Sequence, residues 1–493
     1  MERKIRVILI LLFAVLGRVD RASAQWVGAE STPGTPSEFR IGRLPKVEPL
    51  AFSEEKTVES RLGFLEEAYA KQQADAAKKK ADGAKKPSIK VTGRIHADFW
   101  GFPKSSPVVG WFENPPSTPP ATIDGTDPED RWAFRRLRIA WQGNAFDTMV
   151  YKMEVDFNNP GTPEYKDNYL GWTELPFNQS VLIGNQKRPI GLDHLNSSRY
   201  NVFMERPLVV EAFNEDARRV GICAYGYTDD EVYNWRYGAY FLENTSTDGR
   251  SIGDSLQMSG NVRLASSPWY DDSSGGRGYF HWAVAGMFAR PDGNATAADT
   301  NANDGRFRTR GENRSDSRWI DTGRIAGINT YEILGLESIL NVGPLQVVGE
   351  YQFNWAQRTG ATDLYFHGAY IYASYFLTGE HQPYDRQRGI LGRVKPFENF
   401  FLVRTCDGGR AHGLGALQIA ARYSYLDITD ENVFGGVENN FTVALNWFWN
   451  AHAKVQFNYI IGDIRNRSVP VGGVTGITAG NFHAYGTRFM IDF

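Results

Sequence analysis

Arginine is distributed unevenly in this sequence, and its spacing indicates where anion chemistry could take place. Residues 88–493 contain 31 Arg but only 7 Lys. Arginine stays charged at any physiological pH, and its planar guanidinium matches the paired oxygens of phosphate or carboxylate groups. Three groups of basic residues stand out: Arg306, Arg308 and Arg310; Arg135, Arg136 and Arg138; and, within residues 187–219, Lys187, Arg188, Arg199, Arg206, Arg218 and Arg219.

The parity of these residues predicts which of them can share a surface. An extended chain points Arg306, Arg308 and Arg310 in one direction, because side chains alternate between the two faces of a strand. Arg135 shares the parity of the apolar Leu137, so it needs a strand end or a bulge to reach water. Residues 187–219 alternate poorly and predict a loop that folds into a pore. The alternative, in which nearby Asp and Glu neutralise each arginine, stays open.

The net charge alone would argue against an anion channel. The chain has 54 basic and 57 acidic residues, and removing the first 24 residues (five basic, two acidic) leaves 49 against 55, or −6. However, exposed charges more than about 8 Å away are screened at physiological salt. One arginine about 4 Å from an anion contributes up to roughly 4 kcal/mol at an effective dielectric near 20. The local arrangement of arginines therefore matters more than the total.

The elements that must position the arginines are β-strands. Large apolar side chains alternate with small or polar ones over residues 441–447, and the alternation resumes after a turn over residues 453–459. Residues 136–142 and 149–157 repeat this pattern. The apolar face is rich in Trp, Tyr and Phe near strand ends, as in the aromatic girdles of membrane barrels. The pattern predicts an all-β fold, a transmembrane antiparallel barrel with one face toward lipid.

The length of residues 88–493 predicts the size of this barrel. At roughly 25 residues for each strand with its connection, these 406 residues predict about 16 strands, which leaves an aqueous channel. The final strand ends on Phe493, as is typical of bacterial outer-membrane barrels, and we expect the barrel-assembly machinery to recognise it. Segments rich in Gly, Asp, Asn and Pro predict long outer loops at 103–130, 244–256, 291–318, 378–392 and 464–482.

The residues before the barrel divide into three segments. Residues 1–24 have a basic start, an apolar run and an Ala-Ser-Ala end, which predict a cleaved secretory signal peptide. Residues 25–52 predict a Pro-rich linker, and residues 53–87 a short periplasmic helix that either forms a coiled coil or frays. The two cysteines, Cys223 and Cys406, either pair in an oxidising compartment or remain unrelated thiols.

Several segments of residues 88–493 resemble the phosphate-selective porin family, which contains porins O and P. The matching segments, in family order, are Ala133-Phe134-Arg135-Arg136-Leu137-Arg138, Tyr165–Tyr169, Lys187–Leu192, Ser197–Arg206, Arg306–Arg310, Trp319–Gly323 and Gly415–Ser424. The resemblance implies a 16-stranded barrel that forms a homotrimer in the bacterial outer membrane. It also implies an in-folded constriction loop, which would lie near residues 187–219.

The resemblance also implies a set of residues that contact permeant anions. The central anion site of the family maps onto Arg135, Arg136, Asp167, Ser197, Ser198 and Arg206. Arg306, Arg308 and Arg310 resemble the arginine ladder of the family, and Arg94 resembles a further pore-lining basic residue. Where phosphate-specific members have a lysine, this chain has His194, which is mostly neutral at pH 7. The expected partners are phosphate or other small anions and membrane lipid, with no cofactor, metal or nucleic acid.

Three functional interpretations remain. The leading one is an anion-preferring porin of the phosphate type. The second is a general diffusion porin of the same fold, in which the arginines only balance acidic residues such as Glu154. The third is a structural or adhesive barrel. An outer-membrane hydrolase is disfavoured, because the sequence has no Gly-x-Ser-x-Gly or His-Glu-x-x-His motif.

Overall fold

The alternating segments of the sequence form strands in the computed structural model. The structure describes residues 71, 87–114, 127–159, 161–214, 218–244, 256–293, 305–405, 407–471 and 474–493. The signal peptide 1–24, the linker 25–52, nearly all of the helical segment 53–87 and the partner thiol Cys406 lie outside these residues. Those assignments stay predictions, and both alternatives for Cys223 and Cys406, a disulfide or two unrelated thiols, stay open.

The elements of the first half, in chain order, are β1 (Lys90–Ser105), α1 (Pro107–Glu113), β2 (Arg131–Phe146), β3 (Met149–Asp156), β4 (Glu164–Leu175), β5 (Gln179–Lys187), α2 (Leu192–Leu195), α3 (Leu208–Phe213), β6 (Arg218–Tyr227), β7 (Tyr233–Phe241), β8 (Met258–Tyr270) and β9 (Gly278–Arg290). The second half contains β10 (Arg308–Thr309), β11 (Ile320–Asp321), β12 (Ile328–Val342), β13 (Leu345–Arg358), β14 (Leu364–Phe376), β15 (Tyr384–Asp385), β16 (Ile390–Leu391), β17 (Phe401–Arg404), β18 (Arg410–Gly413), β19 (Ala416–Asp430), β20 (Val433–Asn450), β21 (Ala453–Val471) and β22 (Val474–Asp492). None of the helices in the described ranges has the length and apolar character needed to span a membrane.

Sixteen strands of the described residues close into one antiparallel barrel. They are β1–β9, β12–β14 and β19–β22, and the last strand pairs with the first through Arg94 opposite Asp492 and Ile95 opposite Ile491. This confirms the predicted fold class and strand number. The other strands form three two-stranded sheets within the connections.

Alternation along each strand separates an outer apolar face from an inner polar face. On β20, Phe441, Val443 and Leu445 are exposed, whereas Thr442 and Asn446 are buried. An apolar outer face with polar side chains in the interior is the arrangement of membrane barrels. The prediction that the arginine-bearing face points inward holds for the barrel strands, where Arg136, Arg138 and Arg488 are among the buried residues.

The connection between β5 and β6 runs through the interior of the barrel. Inward-facing side chains of the opposite wall donate to its carbonyl oxygens: Asn446 Nδ2 to Val202 O at 2.8 Å and Lys454 Nζ to Asn201 O at 3.0 Å. On β13, the Glu350 carboxylate accepts from the backbone N–H of Leu192 at 2.9 Å and of Asp193 at 2.7 Å. We call the described part of this connection, residues 188–214, the internal loop.

The connection between β14 and β19 lies at the end of the barrel where β1 begins and β22 ends, which we call the termini end. The prediction that residues 378–392 form an outer loop together with the other long loops is therefore wrong. β14 is the twelfth barrel strand, and every even strand of an antiparallel barrel returns the chain to the termini end. The connection crosses this end: Asn234 on β7 donates to Arg386 O at 3.1 Å, and Arg277 donates to Gly379 O at 2.7 Å.

Ion pairs join the two strands that close the barrel to the internal loop. Arg488 on β22 forms a bidentate pair with Asp98 on β1, at 2.7 and 2.6 Å, and also contacts Glu205 of the internal loop at 2.8 Å. Glu205 in turn holds Arg135 of β2. Arg488, Asp98 and Glu205 are almost fully buried, so each charge depends on the others for compensation.

We predict that Arg488→Met lowers the free energy of unfolding by about 3–5 kcal/mol, because it leaves the buried Asp98 carboxylate without its cation and removes one of the two cations that bind Glu205. Arg465→Met is the matched control, since Arg465 is exposed and pairs with Asp463 on the surface. The control should change stability by less than about 1 kcal/mol. Urea titration in lipid vesicles measures both, and equal losses would contradict the assignment.

Candidate anion-binding site

A β-bulge brings Arg135 and Arg136 into the same interior. His96 on β1 pairs with Arg136 and Ala97 pairs with Phe134, so Arg135 is the extra residue of β2. Arg135 shares the alternation of the apolar Leu137, so the sequence predicted that it reaches water at a strand end or at a bulge. The structure has the bulge. Arg135 forms a bidentate pair with Glu205, from Nε to Oε1 at 2.8 Å and from Nη2 to Oε2 at 3.1 Å.

A second bulge places Asp167 inside the barrel. On β3, Met153 pairs with Asn168 and Val155 with Tyr165, so the two residues Lys166 and Asp167 lie opposite the single residue Glu154. The Asp167 carboxylate accepts from Lys152 Nζ at 2.5 Å and from Arg218 Nε at 2.6 Å. Asp167 is therefore tied to two cations and is itself a structural partner of the site.

Arg94 and Ser198 are in direct contact. Arg94 Nη1 donates to Ser198 Oγ at 2.9 Å, and Arg94 Nη2 pairs with Glu154 at 2.8 Å. Arg138 pairs with Asp156 at 2.6 Å and lies 3.4 Å from the same Glu154. The internal loop thus contributes a hydroxyl to a row of arginines on β1 and β2.

These residues form a continuous charged surface, which we call the basic wall. Eight of its cations pair with its seven carboxylates, and two more cations have no carboxylate within 4 Å among the described residues. The paired cations are Arg94, Arg135, Arg138, Lys152, Arg199, Arg206, Arg218 and Arg488; the carboxylates are Asp98, Glu154, Asp156, Asp167, Asp193, Glu205 and Asp492; the unpaired cations are Arg136 and Lys187. Ten cations against seven anions give +3, opposite in sign to the net charge of −3 of the whole chain.

Arg136 is the arginine of the basic wall whose positive charge is not paired with a carboxylate of the described structure. Only 4% of Arg136 is exposed, and its one polar contact in the described structure is Nη1 to His96 Nδ1 at 3.2 Å. Its Nε is buried without a hydrogen-bond partner. Buried charges are normally paired, and an unsatisfied buried donor indicates a water or an ion that completes the site.

The other cation without a carboxylate partner, Lys187, binds backbone carbonyl oxygens of the internal loop. Its ammonium donates to the carbonyl oxygens of His194 at 2.7 Å, Leu195 at 3.0 Å and Asn196 at 2.7 Å. All three protons therefore hold the end of α2. Arg206 supports the same turn through the carbonyls of Asp193 and His194, at 3.3 and 3.4 Å.

His194 and Ser197 lie in the internal loop. In the described structure, neither side chain forms a hydrogen bond or an ion pair with the arginines of β1 and β2. His194 is fully buried in α2, and both ring nitrogens lack hydrogen-bond partners. Burial, followed by the charges of Lys187 and Arg206, holds the pKa of His194 well below its usual value. Ser197 Oγ accepts from the Arg199 N–H at 3.4 Å within the loop.

Arg306, Arg308 and Arg310 belong to the connection between β9 and β12. They alternate with the buried Phe307 and Thr309, so they share one side of the chain as their spacing predicted. Arg306 forms a bidentate pair with Asp321. Arg310 donates to Ser315 O at 2.9 Å and lies 3.6 Å from Glu211, so it approaches the internal loop.

Comparison with known proteins decides the family. The family model described as phosphate-selective porin O and P matches residues 121–493, about three quarters of the chain. The chain belongs to this family. It is therefore a porin, a passive channel rather than an enzyme. In the described residues no group of three or more His, Cys, Asp or Glu side chains is placed to hold a metal ion.

Other similarities to this porin are more distant. An uncharacterized protein of Caulobacter vibrioides is 27% identical over 371 residues, which cover 73% of this chain and 68% of that protein. Similar solved structures include a loop-deletion mutant of OmpT, an outer membrane protein of Vibrio cholerae (TM-score 0.48, 11% identity, 82% of this chain and 99% of that one). An anion-selective porin from Comamonas acidovorans has a TM-score of 0.46 at 11% identity, covering 83% of this chain and 100% of that one. The barrel is established by the strand pairing of this porin itself.

Sequence reasoning missed several residues of the porin interior. Sequence reasoning did not select Glu205, which binds Arg135, or Arg488, which binds Glu205. It also did not select His96, which contacts Arg136. Arg314, which follows the row of Arg306, Arg308 and Arg310, has no carboxylate within 4 Å in the described structure. The alternation of β22 could have identified Arg488 as inward-facing, but no local pattern indicates that Glu205 is its partner.

The buried His194 predicts a pH dependence of stability. Its pKa is lowered in the folded porin, so below about pH 6.5 the unfolded chain binds a proton that the folded chain does not, and stability falls as pH decreases. The loss should reach about 1.4 kcal/mol at pH 5.5. In urea titrations between pH 7.5 and 5.5, His194→Gln should remove this loss. The same change at the exposed His412 should keep it, and identical pH profiles for the two variants would contradict the prediction.

Proposed function

We propose that this porin lies in the bacterial outer membrane and passes small anions, chiefly oxyanions of the phosphate type, along the arginines of the basic wall. The observation that supports it most strongly is Arg136, a buried guanidinium without a carboxylate partner among the described residues. The protein has paired the other arginines of the wall, so a permeating anion would meet one site of uncompensated positive charge. An anion next to Arg136 would provide the ion pair that this buried guanidinium lacks among the described residues.

Arg314 extends this route toward the arginines between β9 and β12. Burial, followed by the charges of Arg135 and Arg310, lowers the pKa of Arg314 to about 9, so it remains protonated at pH 7. Arg314 interacts electrostatically with Arg135, and Arg135 with Arg136. Such a series lets an anion pass between sites that bind it weakly enough for release.

The use of Lys187 and His194 bears on which anion is preferred. The Lys187 ammonium is bound by three carbonyls, and His194 is neutral and buried. The wall therefore presents fewer free positive charges than its basic residues suggest. This favours passage of phosphate among other small anions over tight phosphate-specific binding.

The proposal includes the maturation and assembly of the porin. We infer that residues 1–24 are cleaved on export, that Phe493 is recognised during barrel assembly, and that the folded chain forms a homotrimer. A general diffusion porin is the second candidate, supported by the seven carboxylates of the basic wall. Ion selectivity distinguishes the two, because only the first requires a reversal potential that favours chloride over potassium.

Arg136→Gln should lower the permeability ratio of chloride to potassium at least about fivefold. This corresponds to about 1 kcal/mol, the interaction of two unit charges 4 Å apart even in bulk water. Arg465→Gln removes the same charge from the exposed surface and should leave the ratio unchanged. Reversal potentials of purified channels in planar bilayers measure it, and an unchanged ratio in Arg136→Gln would reject the proposed route.

Glu205→Gln should change the selectivity in the opposite direction. The amide retains a hydrogen-bond acceptor for Arg135 but removes the negative charge that compensates it. We therefore expect a higher ratio of chloride to potassium and a stronger block of chloride current by phosphate. Titration of the chloride conductance with phosphate measures this block. If the block weakens, Arg135 does not lie on the anion route.

A further inference from the structure

The connection between β14 and β19 forms a small hairpin that stands apart from the pore. β17 and β18 pair in the order Phe401 opposite Gly413, Leu402 opposite His412, Val403 opposite Ala411 and Arg404 opposite Arg410. The backbone before the hairpin is fixed to the termini end of β20, where Phe400 N–H donates to Trp449 O at 2.6 Å. We call residues 397–414 the termini hairpin; Cys406 within it is not described.

The termini hairpin packs against the outer face of the barrel. Trp447 continues the outward alternation of Phe441, Val443 and Leu445 on β20. Trp449 is the extra residue of a bulge against β21, and its ring lies 5.7 Å from the Trp447 ring, on the same outer side. The Phe400 ring lies 4.5 Å from Trp447 and 5.7 Å from Trp449, measured between ring centroids. On the other side of the hairpin, Trp447 Nε1 donates to Leu414 O at 2.8 Å. These contacts place the hairpin beside the lipid-facing surface at the termini end.

Among the described residues, nothing covers several apolar side chains of the termini hairpin. Phe397 is 67% exposed, Phe401 55%, Leu402 48% and Leu414 55%. Aromatic and aliphatic groups next to an outward-facing tryptophan pair are typical of the interface between the hydrocarbon and headgroup regions of a bilayer. Because the patch is continuous with the lipid-facing face of β20, the bilayer is the surface that can cover it.

Two arginines of the hairpin lie directly opposite each other. Arg404 and Arg410 are cross-strand partners, and both are exposed. Neither guanidinium group forms an ion pair or a hydrogen bond within the described structure. Like charges in this position destabilise a hairpin, unless an anion lies between them. Leu402 shares their face, two residues along the strand, so an anion at this point would lie next to an apolar contact.

We propose that the termini hairpin is a phospholipid-binding element, in which Arg404 and Arg410 bind the phosphodiester of an anionic headgroup while Leu402 and the neighbouring aromatic residues enter the bilayer interface. Paired guanidinium groups suit phosphate oxygens, and basic residues near a membrane surface favour anionic lipids. The ligand reaches this site from the membrane and not through the pore. The inference is therefore independent of the proposed anion route.

Spin labels on the full chain in nanodiscs test where the hairpin lies. With Cys223 and Cys406 replaced by serine, labels go on Leu402→Cys, on Leu445→Cys as a lipid-facing reference and on Ser273→Cys as a water-exposed reference at the same end. We expect the Leu402 label to resemble that at 445, with a ratio of oxygen to nickel-complex accessibility several-fold above that at 273. A ratio equal to that at 273 would overturn the proposal. So would protection from both reagents, which would indicate a second copy or residues 25–87 as the cover.

The headgroup site is tested by lipid composition. Nanodiscs of phosphatidylcholine with and without phosphatidylglycerol are compared by the same Leu402 label. Phosphatidylglycerol should raise the accessibility ratio in the parent chain, and the double change of Arg404→Gln and Arg410→Gln should abolish that rise. Arg465→Gln, at the opposite end of the barrel, should keep it. A rise that persists in the double variant, or no rise in the parent, would overturn the assignment of the two arginines. Inorganic phosphate in place of the lipid should not reproduce the effect.

Discussion

The pairing of buried guanidinium groups with buried carboxylates is the interaction on which this porin depends. A barrel of 16 strands encloses more space than its own inward side chains can fill, so the connections must enter and be held there. The anchors are charges. Asp98 on β1 and Glu205 of the internal loop both bind Arg488 on β22, at the seam that closes the barrel. Asp492 receives Arg199 from the internal loop at 2.7 Å and Arg393 from the loop at the termini end at 2.5 Å. Removing one residue of such a pair leaves its partner as an uncompensated buried charge. The position of each connection therefore depends on the complete set of ion pairs.

The same pairing also determines what remains for an ion to bind. Seven carboxylates pair with eight cations of the basic wall, and three carbonyls engage Lys187, which leaves Arg136 without such a partner in the described structure. A channel needs a site that attracts an ion without retaining it. A surface of unpaired arginines would bind anions too tightly and would destabilise the barrel by repulsion. The acidic residues therefore support anion passage, although they look unfavourable in the net charge of the chain.

Much of this fold could be predicted from the sequence because membrane strands leave a strong local pattern. Alternation with period two predicted the inward face of Arg136 and Arg138, and the length of the alternating region predicted sixteen strands. The placement of residues 378–392 failed, because composition identifies a loop but not the end at which it lies. That end depends on the number of strands before it. The partners of Arg135 could not be predicted either, since Glu205 is 70 residues away and Arg488 is 283 residues beyond Glu205. The burial of His194 depends likewise on how the internal loop folds.

Two consecutive charged residues within an alternating strand indicate a local break in the regular pairing of that strand. A regular strand sends only every second side chain inward, so one member of a charged doublet would face lipid. In this porin the doublets Arg135-Arg136 and Lys166-Asp167 both lie at bulges, and in each case both side chains turn toward the interior. The cost of placing a charge in lipid, roughly 2–4 kcal/mol for a basic residue at the midplane, exceeds that of a locally broken ladder. At a strand end no bulge is needed, and Arg218-Arg219 at the start of β6 pair with Lys187 and Gln186 without a register shift. Inside an otherwise amphipathic membrane strand, however, a charged doublet predicts a bulge, and with it a point where two neighbouring side chains converge on one interior site.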